Sequence, residues 1–255
     1  MENQKLPSPW RLIKKSFEIY FKKENFLYLT KVNLLGLLVS MVIISPLLVF
    51  GFLGAANPNL SNLSFMKGSG INFPLIIFVS IAAVASIIWG VWFQVAIIKA
   101  VINTVSGKIV GVKDTYKNSW PKVGKYFWTA LEVGFLTAFG FILLIIPGIL
   151  VLVWYSFSRY IVVEEEVGSG EALKRSKALV KGNFWPVFGR GIVFVLFYIL
   201  LQIIFSFVKI LGPLLLTLIS PLYVLLPYLL YQELKRIKDG GSVGDEGLVS
   251  EGELA

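Results

Sequence analysis

The sequence predicts an all-α integral membrane protein with six transmembrane helices, arranged as three hairpins that are each preceded by a short cytoplasmic amphipathic helix. Three observations predict this class: the composition is apolar, the apolar residues form long runs, and the basic residues flank those runs. The 255 residues have a mean hydropathy of +0.76 and are 56% hydrophobic and 15% charged. Soluble domains are about 45–50% apolar and about 25% charged, so a lipid bilayer is the expected surrounding.

The composition also narrows the function classes. The chain has no cysteine and no histidine, which removes disulfides, thiolate chemistry, the commonest general base and the commonest metal ligand. We therefore expect no enzyme, no cofactor and no metal. The net charge of +9 would suggest nucleic acid in a soluble protein. Here the basic residues adjoin apolar runs, where they set orientation and contact lipid headgroups, so no nucleic-acid partner is expected.

Apolar runs cover most of the chain, and the last two are too long for a single crossing. Tyr126 to Val163 would form a helix of about 57 Å at about 1.5 Å per residue, nearly twice the hydrocarbon thickness. Pro147-Gly148 lies near its middle and Gly212-Pro213 near the middle of the last run, so we expect a turn at each. Transmembrane helices are thus predicted at 32–54, 73–98, 126–146, 148–163, 184–208 and 213–232, in a single domain over 1–238.

The distribution of basic residues supports this division independently. Cytoplasmic loops carry an excess of Lys and Arg. If both long runs fold back, all 24 Lys and Arg residues except Lys67 and Lys209 fall on one side of the membrane. We therefore expect a multi-pass protein of the cell membrane with its N- and C-termini in the cytoplasm.

A short basic stretch that ends in aromatic residues precedes each pair of transmembrane helices. This weak internal repeat predicts amphipathic helices at 9–24, 111–120 and 170–181. In the third, Ser169 is the expected N-cap and Gly182 the expected left-handed end. Membrane anchoring explains such helices, and recognition of anionic lipid headgroups is the functional alternative. The candidate headgroup contacts are Lys14, Lys15, Lys22, Lys174, Arg175 and Lys181.

Two polar segments are not expected to be helical. The first is an external loop over 55–72, in which Asn59 and Asn62 each begin a formal N-glycosylation acceptor triplet. The second is the acidic, Gly-rich tail over 239–255, which is predicted to be disordered.

Glu132 and Arg190 are ionisable residues inside predicted transmembrane helices, which makes them functional candidates. When the second and third repeats are aligned by their aromatic starts, Tyr126-Phe127 on Phe184-Trp185, both charges fall at the same depth. We hypothesise an interhelical Glu132–Arg190 ion pair, because either charge alone in a low-dielectric bundle is costly. The pair would fix helix register, and a proton or ion relay is the functional alternative.

The remaining polar groups give weaker signals. Polar residues near span depth most often bridge helices, and here they are Gln94, Asn103, Arg159 and Gln202. The acidic run Glu164-Glu165-Glu166 resembles clusters that bind metal or act as acid and base. A solvated face that neutralises neighbouring Lys and Arg explains it better. The sequence has no nucleotide, zinc or nucleophile motif.

Several sequence strings between about Leu144 and Phe188 resemble a known group of proteins. They are Ile146-Pro147-Gly148-Ile149, Val163-Glu164-Glu165, Gly170-Glu171-Ala172-Leu173-Lys174-Arg175-Ser176 and Lys181-Gly182-Asn183-Phe184-Trp185. These strings resemble the uncharacterised membrane proteins grouped with the glycerophosphodiester phosphodiesterase membrane domain, whose six-span layout is similar. The resemblance implies architecture rather than activity, because the 255 residues contain no catalytic phosphodiesterase domain. It also carries over no catalytic residues.

Three functions follow from these observations. The first is a non-enzymatic membrane protein that organises lipids or partner proteins through its cytoplasmic amphipathic helices. The second is a small-solute transporter or channel that uses the Glu132–Arg190 pair at a repeat interface. The third, a membrane enzyme that uses Glu164 or Glu165, rests only on carboxylates near the cytoplasmic surface.

Overall fold

The computed structural model of the chain describes residues 6–56, 73–208 and 211–239. These residues form α-helices with one short 3₁₀ turn and no strands. The helices are α1 Pro9–Phe21, α2 Lys23–Ala56, α3 Phe73–Val105, α4 Val112–Ser119, α5 Val123–Leu143, α6 Ile145–Trp154, α7 Ser158–Glu164, α8 Ser169–Val180, α9 Phe184–Ser206, α10 Leu211–Ile219 and α11 Leu222–Lys238.

Six segments of the described chain are long and apolar enough to cross a membrane, as the sequence predicted. They are Lys23–Pro46, Ile77–Val105, Val112–Leu143, Ile145–Glu164, Phe184–Ser206 and Leu211–Lys238. We number these segments as the first to the sixth span.

The turn between α5 and α6 lies at Leu144, and not at Pro147-Gly148 as predicted. Leu144 is extended, with φ −167° and ψ 156°, and α6 begins at the next residue. Pro147 then falls in the first turn of α6, where a backbone N–H has no intrahelical acceptor and proline costs little. Gly148 instead allows close packing, since a Cβ on Gly140 of α5 would lie 2.9 Å from the Cα of Gly148.

The fourth span is divided into α6 and α7, where the sequence predicted one continuous helix over 148–163. Ser176 of α8 satisfies the backbone groups at this break. Its hydroxyl donates to the carbonyl of Trp154 at 2.7 Å and accepts from the N–H of Phe157 at 3.2 Å. The break is therefore stabilised by a tertiary contact, which the local sequence does not reveal.

The sixth span is also divided, into α10 and α11, although the sequence predicted one helix over 213–232. Pro221 is the N-cap of α11, where its missing N–H does not interrupt the helix. Asn33 of α2 donates to the carbonyl of Thr217 at 2.8 Å and to the hydroxyl of Ser220 at 3.0 Å. α11 continues to Lys238, beyond the predicted end of the span, and so carries charged residues on its last turns.

Helices α1, α4 and α8 occupy the regions in which the sequence predicted amphipathic helices. α1 is N-capped by Ser8, whose hydroxyl accepts a backbone N–H of the first turn at 3.3 Å. α8 is N-capped by Gly168 and not by Ser169, because the helical backbone already begins at Ser169. The hydroxyl of Ser169 donates to Glu132. Gly182, just after α8, has φ +89°, the predicted left-handed conformation.

The sixth span is the most buried of the six. In its most apolar part, 50% of the residues are buried within the protein, against 11% in the most apolar part of the fifth span. α11 packs against α1, α3, α8 and α9. α1 turns Leu12, Ile13, Ser16 and Tyr20 into this core and leaves Trp10 and Phe21 exposed. The apolar side of α1 is thus used partly for packing on the bundle.

Some predictions concern residues outside the described ranges. They are the two glycosylation triplets at Asn59 and Asn62, the positions of Lys67 and Lys209, and the tail beyond Asp239. These stay predictions.

Candidate functional site

Charged side chains meet where the last turns of α11 pack near the end of α7 and the middle of α8. Glu165, which follows α7, accepts hydrogen bonds from Lys235 at 2.7 Å, Arg175 at 2.6 Å and Tyr231 at 3.1 Å. Glu164 accepts from Gln232 at 3.0 Å and lies 3.5 Å from Lys235. We call Glu164, Glu165, Arg175, Tyr231, Gln232 and Lys235 the charged cluster.

Burial and pairing shift the pKa of Glu165 in opposite directions. Desolvation favours the neutral acid, but hydrogen bonds from Lys235 and Arg175 outweigh it and hold the pKa of Glu165 below its usual value. The acidic run does neutralise neighbouring basic groups. However, Glu164 and Glu165 are mostly buried, with side-chain exposures of 22% and 20%, so these two carboxylates do not form the predicted solvated face.

Glu166 forms a separate ion pair next to the charged cluster. Its carboxylate lies 2.7 Å from the ammonium of Lys122, which is buried and also donates to the carbonyl of Val163 at 2.9 Å. The hydrogen bond and charge of Lys122 lower the pKa of Glu166. Glu166 also has φ 58°, an uncommon value for a residue with a side chain.

The charged cluster has no arrangement of acidic side chains that suits a metal ion. Among the described residues, no group of three His, Cys, Asp or Glu side chains is placed to bind one. The carboxylates of Glu164 and Glu165 are instead directed to cations and hydrogen-bond donors of the chain itself.

α1 joins this region through Glu233 of α11, which accepts a hydrogen bond from Lys15 at 2.9 Å. A cavity of about 720 Å³ lies between α1 and α11, a size that suits a lipid headgroup or another small polar ligand. Its wall carries basic and acidic side chains in similar number: Arg11, Lys14, Lys15, Lys235 and Arg236, and Glu18, Glu164, Glu233 and Asp239. The cavity therefore carries many charges, which are nearly balanced in sign.

The six predicted headgroup contacts fall into two groups. Lys15 and Arg175 already pair with carboxylates of the chain. The other four are exposed: Lys14, Lys22, Lys174 and Lys181. Lys14 lies 3.9 Å from Glu18, but both side chains are mostly exposed and such a pair contributes little. The remaining three form no ion pair with a described residue.

Exposed tryptophans accompany exposed lysines in and around α1, α4 and α8. The tryptophan is three or four residues from the lysine in each case: Trp10 with Lys14, Trp120 with Lys117, and Trp185 with Lys181. The three tryptophan side chains are 68%, 52% and 75% exposed, respectively. Tryptophan is enriched at the level of the lipid headgroups in membrane proteins.

The predicted Glu132–Arg190 ion pair is not formed. Glu132 of α5 accepts a hydrogen bond from the hydroxyl of Ser169 in α8 at 2.8 Å. Equal depth along two spans did not make their helices neighbours at these residues. α5 packs against α3, α6, α7 and α8, whereas α9 packs against α1, α6, α10 and α11. The carboxylate and the guanidinium therefore meet different partners.

Arg190 donates to backbone carbonyls instead. Its Nε and Nη2 reach the carbonyl of Pro7 at 2.8 and 2.7 Å, and Nη2 also reaches Leu6 at 2.7 Å. Its Nη1 donates to Pro186, one turn earlier in α9, at 2.8 Å. The arginine thereby fixes the residues that precede α1 to the fifth span.

The sequence indicated the charges at the end of α11 but not their partners. The predicted span ended at 232, so Lys235 counted only among the basic residues of the cytoplasmic side, and Glu233 was not singled out. Their role depends on which helices pack beside α11, and a single sequence does not show this.

Six apolar spans, with a charged cluster where α7, α8 and α11 meet, define a multi-span α-helical membrane protein. Residues 91–228, more than half of the chain, match the family described as a domain of unknown function, DUF7847, and the chain belongs to that family. Neither a curated protein nor a solved structure matches it. These comparisons show no link to the glycerophosphodiester phosphodiesterase membrane domain.

Proposed function

We propose that this protein is a non-enzymatic membrane protein that gathers anionic lipids on the cytoplasmic side of the cell membrane. In this proposal the spans are paired as three hairpins, both termini are cytoplasmic, and α1, α4 and α8 lie at the level of the headgroups. Packing of α2 on α3, of α5 on α6 and of α9 on α10 supports the pairing. The one-sided distribution of Lys and Arg along the chain supports the orientation.

One observation carries the proposal, namely that exposed lysines and exposed tryptophans occur together on and next to α1 and α8. Lys14, Lys22, Lys174 and Lys181 keep their side chains at the surface. A basic residue near an anionic leaflet contributes about 1 kcal/mol to attraction, which is roughly a fivefold effect per residue. Several such residues around one bundle would enrich anionic lipids around the protein.

The other functions have less support. A transporter or channel was motivated by a Glu132–Arg190 pair, and these residues bind Ser169 and backbone carbonyls instead. An enzyme would need Glu164 or Glu165 as a reacting group, and both carboxylates are occupied by the charged cluster. We therefore propose neither.

The test measures which lipids surround the protein. The full chain is reconstituted in mixed vesicles of phosphatidylglycerol and phosphatidylcholine, in which one lipid at a time carries brominated chains that quench tryptophan fluorescence. The seven tryptophans report on neighbouring lipid. We expect the wild type to prefer phosphatidylglycerol several-fold, and the variant with Lys14, Lys22, Lys174 and Lys181 all changed to Gln to lose most of that preference.

The matched control changes the same four lysines to Arg, which keeps the charge and should keep the preference. High salt should weaken the preference of the wild type, because exposed charges are screened. The proposal is wrong if the Gln variant prefers phosphatidylglycerol as strongly as the wild type. A purified protein that instead retains one stoichiometric protein partner, and shows no lipid preference, would favour the organisation of partner proteins.

A further inference from the structure

Arg159 is a cation inside the fourth span that lacks a counter-ion among the described residues. It lies in the first turn of α7, within the segment Ile145–Glu164, and forms no ion pair with a described carboxylate. Its Nη2 donates to the hydroxyl of Tyr160 at 2.9 Å, which is its only hydrogen bond within the described chain. A guanidinium has five N–H donors, so most of them are unused.

Not all of the unused donors of Arg159 are accessible. The Nε of Arg159 is buried and has no hydrogen-bond partner among the described residues. The guanidinium carbon lies 4.8 Å from the centre of the Tyr160 ring, so the ring covers one face of the cation. Tyr160 itself is fixed, since its hydroxyl also donates to the carbonyl of Val224 in α11 at 3.2 Å. Arg159 is thus held in place but left largely unpaired.

Phenol side chains from two other helices lie in the neighbourhood of the arginine. They are Tyr126 of α5, which is buried, and Tyr223 of α11. Tyr223 is 49% exposed and packs on Tyr198 of α9, with ring centres 4.7 Å apart. The group formed by Arg159, Tyr126, Tyr160 and Tyr223 therefore extends from the interior of the bundle to its surface.

The position along α7 suits a ligand that approaches from the charged cluster. Arg159 precedes Glu164 by five residues in one helix, which corresponds to about 7.5 Å at about 1.5 Å per residue. Along α11, Tyr223 precedes Tyr231 of the charged cluster by eight residues, which is about 12 Å at the same rise, so a phosphate that contacts both Arg159 and Tyr223 lies about 7.5–12 Å from the cluster. Because an unpaired charge in a membrane span is costly, an anion from outside the chain would stabilise the site.

We infer that Arg159 binds a phosphate group beside Tyr223, where the unused Nη donors of the arginine and the exposed hydroxyl of Tyr223 contact the phosphate oxygens. Arginine suits this role because its planar guanidinium donates two parallel hydrogen bonds to phosphate oxygens. The phosphate could belong to the headgroup of an anionic lipid or to free inorganic phosphate. This site is separate from the surface lysines, so it goes beyond the proposed lipid enrichment around the bundle.

The experiment compares three arginine variants of the full chain. Wild type, Arg159→Gln, Arg159→Lys and Arg190→Gln are purified from nanodiscs of equal phosphatidylglycerol and phosphatidylcholine, and retained lipid is counted by native mass spectrometry. We expect one tightly retained phosphatidylglycerol in the wild type and in Arg190→Gln. Arg159→Gln should retain about tenfold less, since it loses charge-assisted hydrogen bonds. Arg159→Lys should retain an intermediate amount, because a point charge remains.

A second arm identifies the source of the phosphate. Inorganic phosphate is added to the protein in a phosphate-free detergent, and the melting temperature is compared with that in an equal concentration of chloride. A phosphate-dependent rise that is lost in Arg159→Gln, without retained phosphatidylglycerol in the wild type, would indicate a free anion. Retained phosphatidylglycerol with no such rise would indicate a lipid headgroup.

The inference is overturned if Arg159→Gln retains phosphatidylglycerol like the wild type and responds to phosphate like the wild type. It is also overturned if the wild type shows neither response. If Arg159→Gln does not fold, Arg159→Lys is compared with the wild type instead. Retention below that of the wild type then supports the inference, and equal retention overturns it. The variant that lacks the four surface lysines separates this site from the proposed function, because it should lose the lipid preference measured by quenching but retain the phosphatidylglycerol bound at Arg159.

Discussion

Two arginines within membrane spans have opposite surroundings. Arg190 directs all three of its nitrogens to backbone carbonyls, and it joins the fifth span to the residues before α1. Arg159 makes a single hydrogen bond, to a tyrosine, and leaves its buried Nε unsatisfied. Neither pairs with a carboxylate of the described chain.

The difference shows that a cation in a span does not need an acid as its partner. Carbonyl oxygens carry enough partial charge to satisfy a guanidinium, and a segment outside the helices can supply them. Arg190 is therefore explained by structure alone. Arg159 has no comparable set of acceptors among the described residues, although Tyr160 holds it in place, and this is why it points to a ligand rather than to packing.

The largest expected effect concerns the stability that each arginine provides. Arg190→Met should lower the free energy of unfolding by about 2–3 kcal/mol, because the carbonyls of Leu6 and Pro7 lose a charged donor. Arg159→Met in phosphate-free detergent should change it by less than about 1 kcal/mol, since removing an unpaired charge offsets the lost hydrogen bond. Unfolding in graded denaturing detergent measures both values.

Limited proteolysis provides the control for this prediction. Arg190→Met should expose the residues before α1 to cleavage, whereas Arg159→Met should not. Arg190→Lys should give a smaller loss of stability, because one ammonium replaces some of the donors. Equal loss of stability in the two Met variants would contradict the contrast between the arginines.

A smaller effect is expected from the charged cluster, in which the chain supplies both partners. Lys235→Met should destabilise the protein by about 1–2 kcal/mol, because Glu165 keeps Arg175 but loses its closest ammonium. Combining it with Glu165→Gln should recover part of that loss, since the carboxylate no longer needs a cation. A double variant that is as unstable as the sum of the single ones would mean that the two residues act independently.

A still smaller effect is the dependence of stability on pH. It arises from Glu165 of the charged cluster and from Glu166, and not from the two arginines. The pKa values of Glu165 and Glu166 lie below their unfolded values, so their contribution is fully present above about pH 4.3. That contribution is lost as the pH falls through the lower, folded values. Arginine does not titrate in this range. Unfolding measured between neutral pH and about pH 3 should therefore show a loss in the wild type and in Arg159→Met alike, and a smaller loss in Lys235→Met.

The smallest expected effect is the coupling between Glu132 and Arg190. Because the two side chains bind different partners, the stability changes of Glu132→Gln and Arg190→Gln should add within about 0.5 kcal/mol in the double variant. A larger coupling energy would show that the ion pair predicted from equal depth does form in the membrane.

The sequence predicted the spans well, because apolar length responds directly to bilayer thickness. It located the breaks less well. Pro147 suggested a turn, yet proline is tolerated in the first turn of a helix and the chain turns at Leu144. The partners of charged residues were the hardest to predict. Lys15 and Arg175 pair within the chain, and Arg190 binds carbonyls. These partners were hard to predict because the contacts depend on the order in which the spans pack.

The break between α6 and α7 bears on how the chain is made. Ser176 lies 19 residues after Phe157, so it leaves the ribosome later than the fourth span whose backbone it satisfies. Until α8 folds, the carbonyl of Trp154 and the N–H of Phe157 lack this partner, and in hydrocarbon such groups are costly. Biogenesis of the fourth span is therefore complete only after translation of the helix that follows it. Nascent chains arrested before Ser176 should hold this span less firmly in the membrane than chains arrested beyond α8.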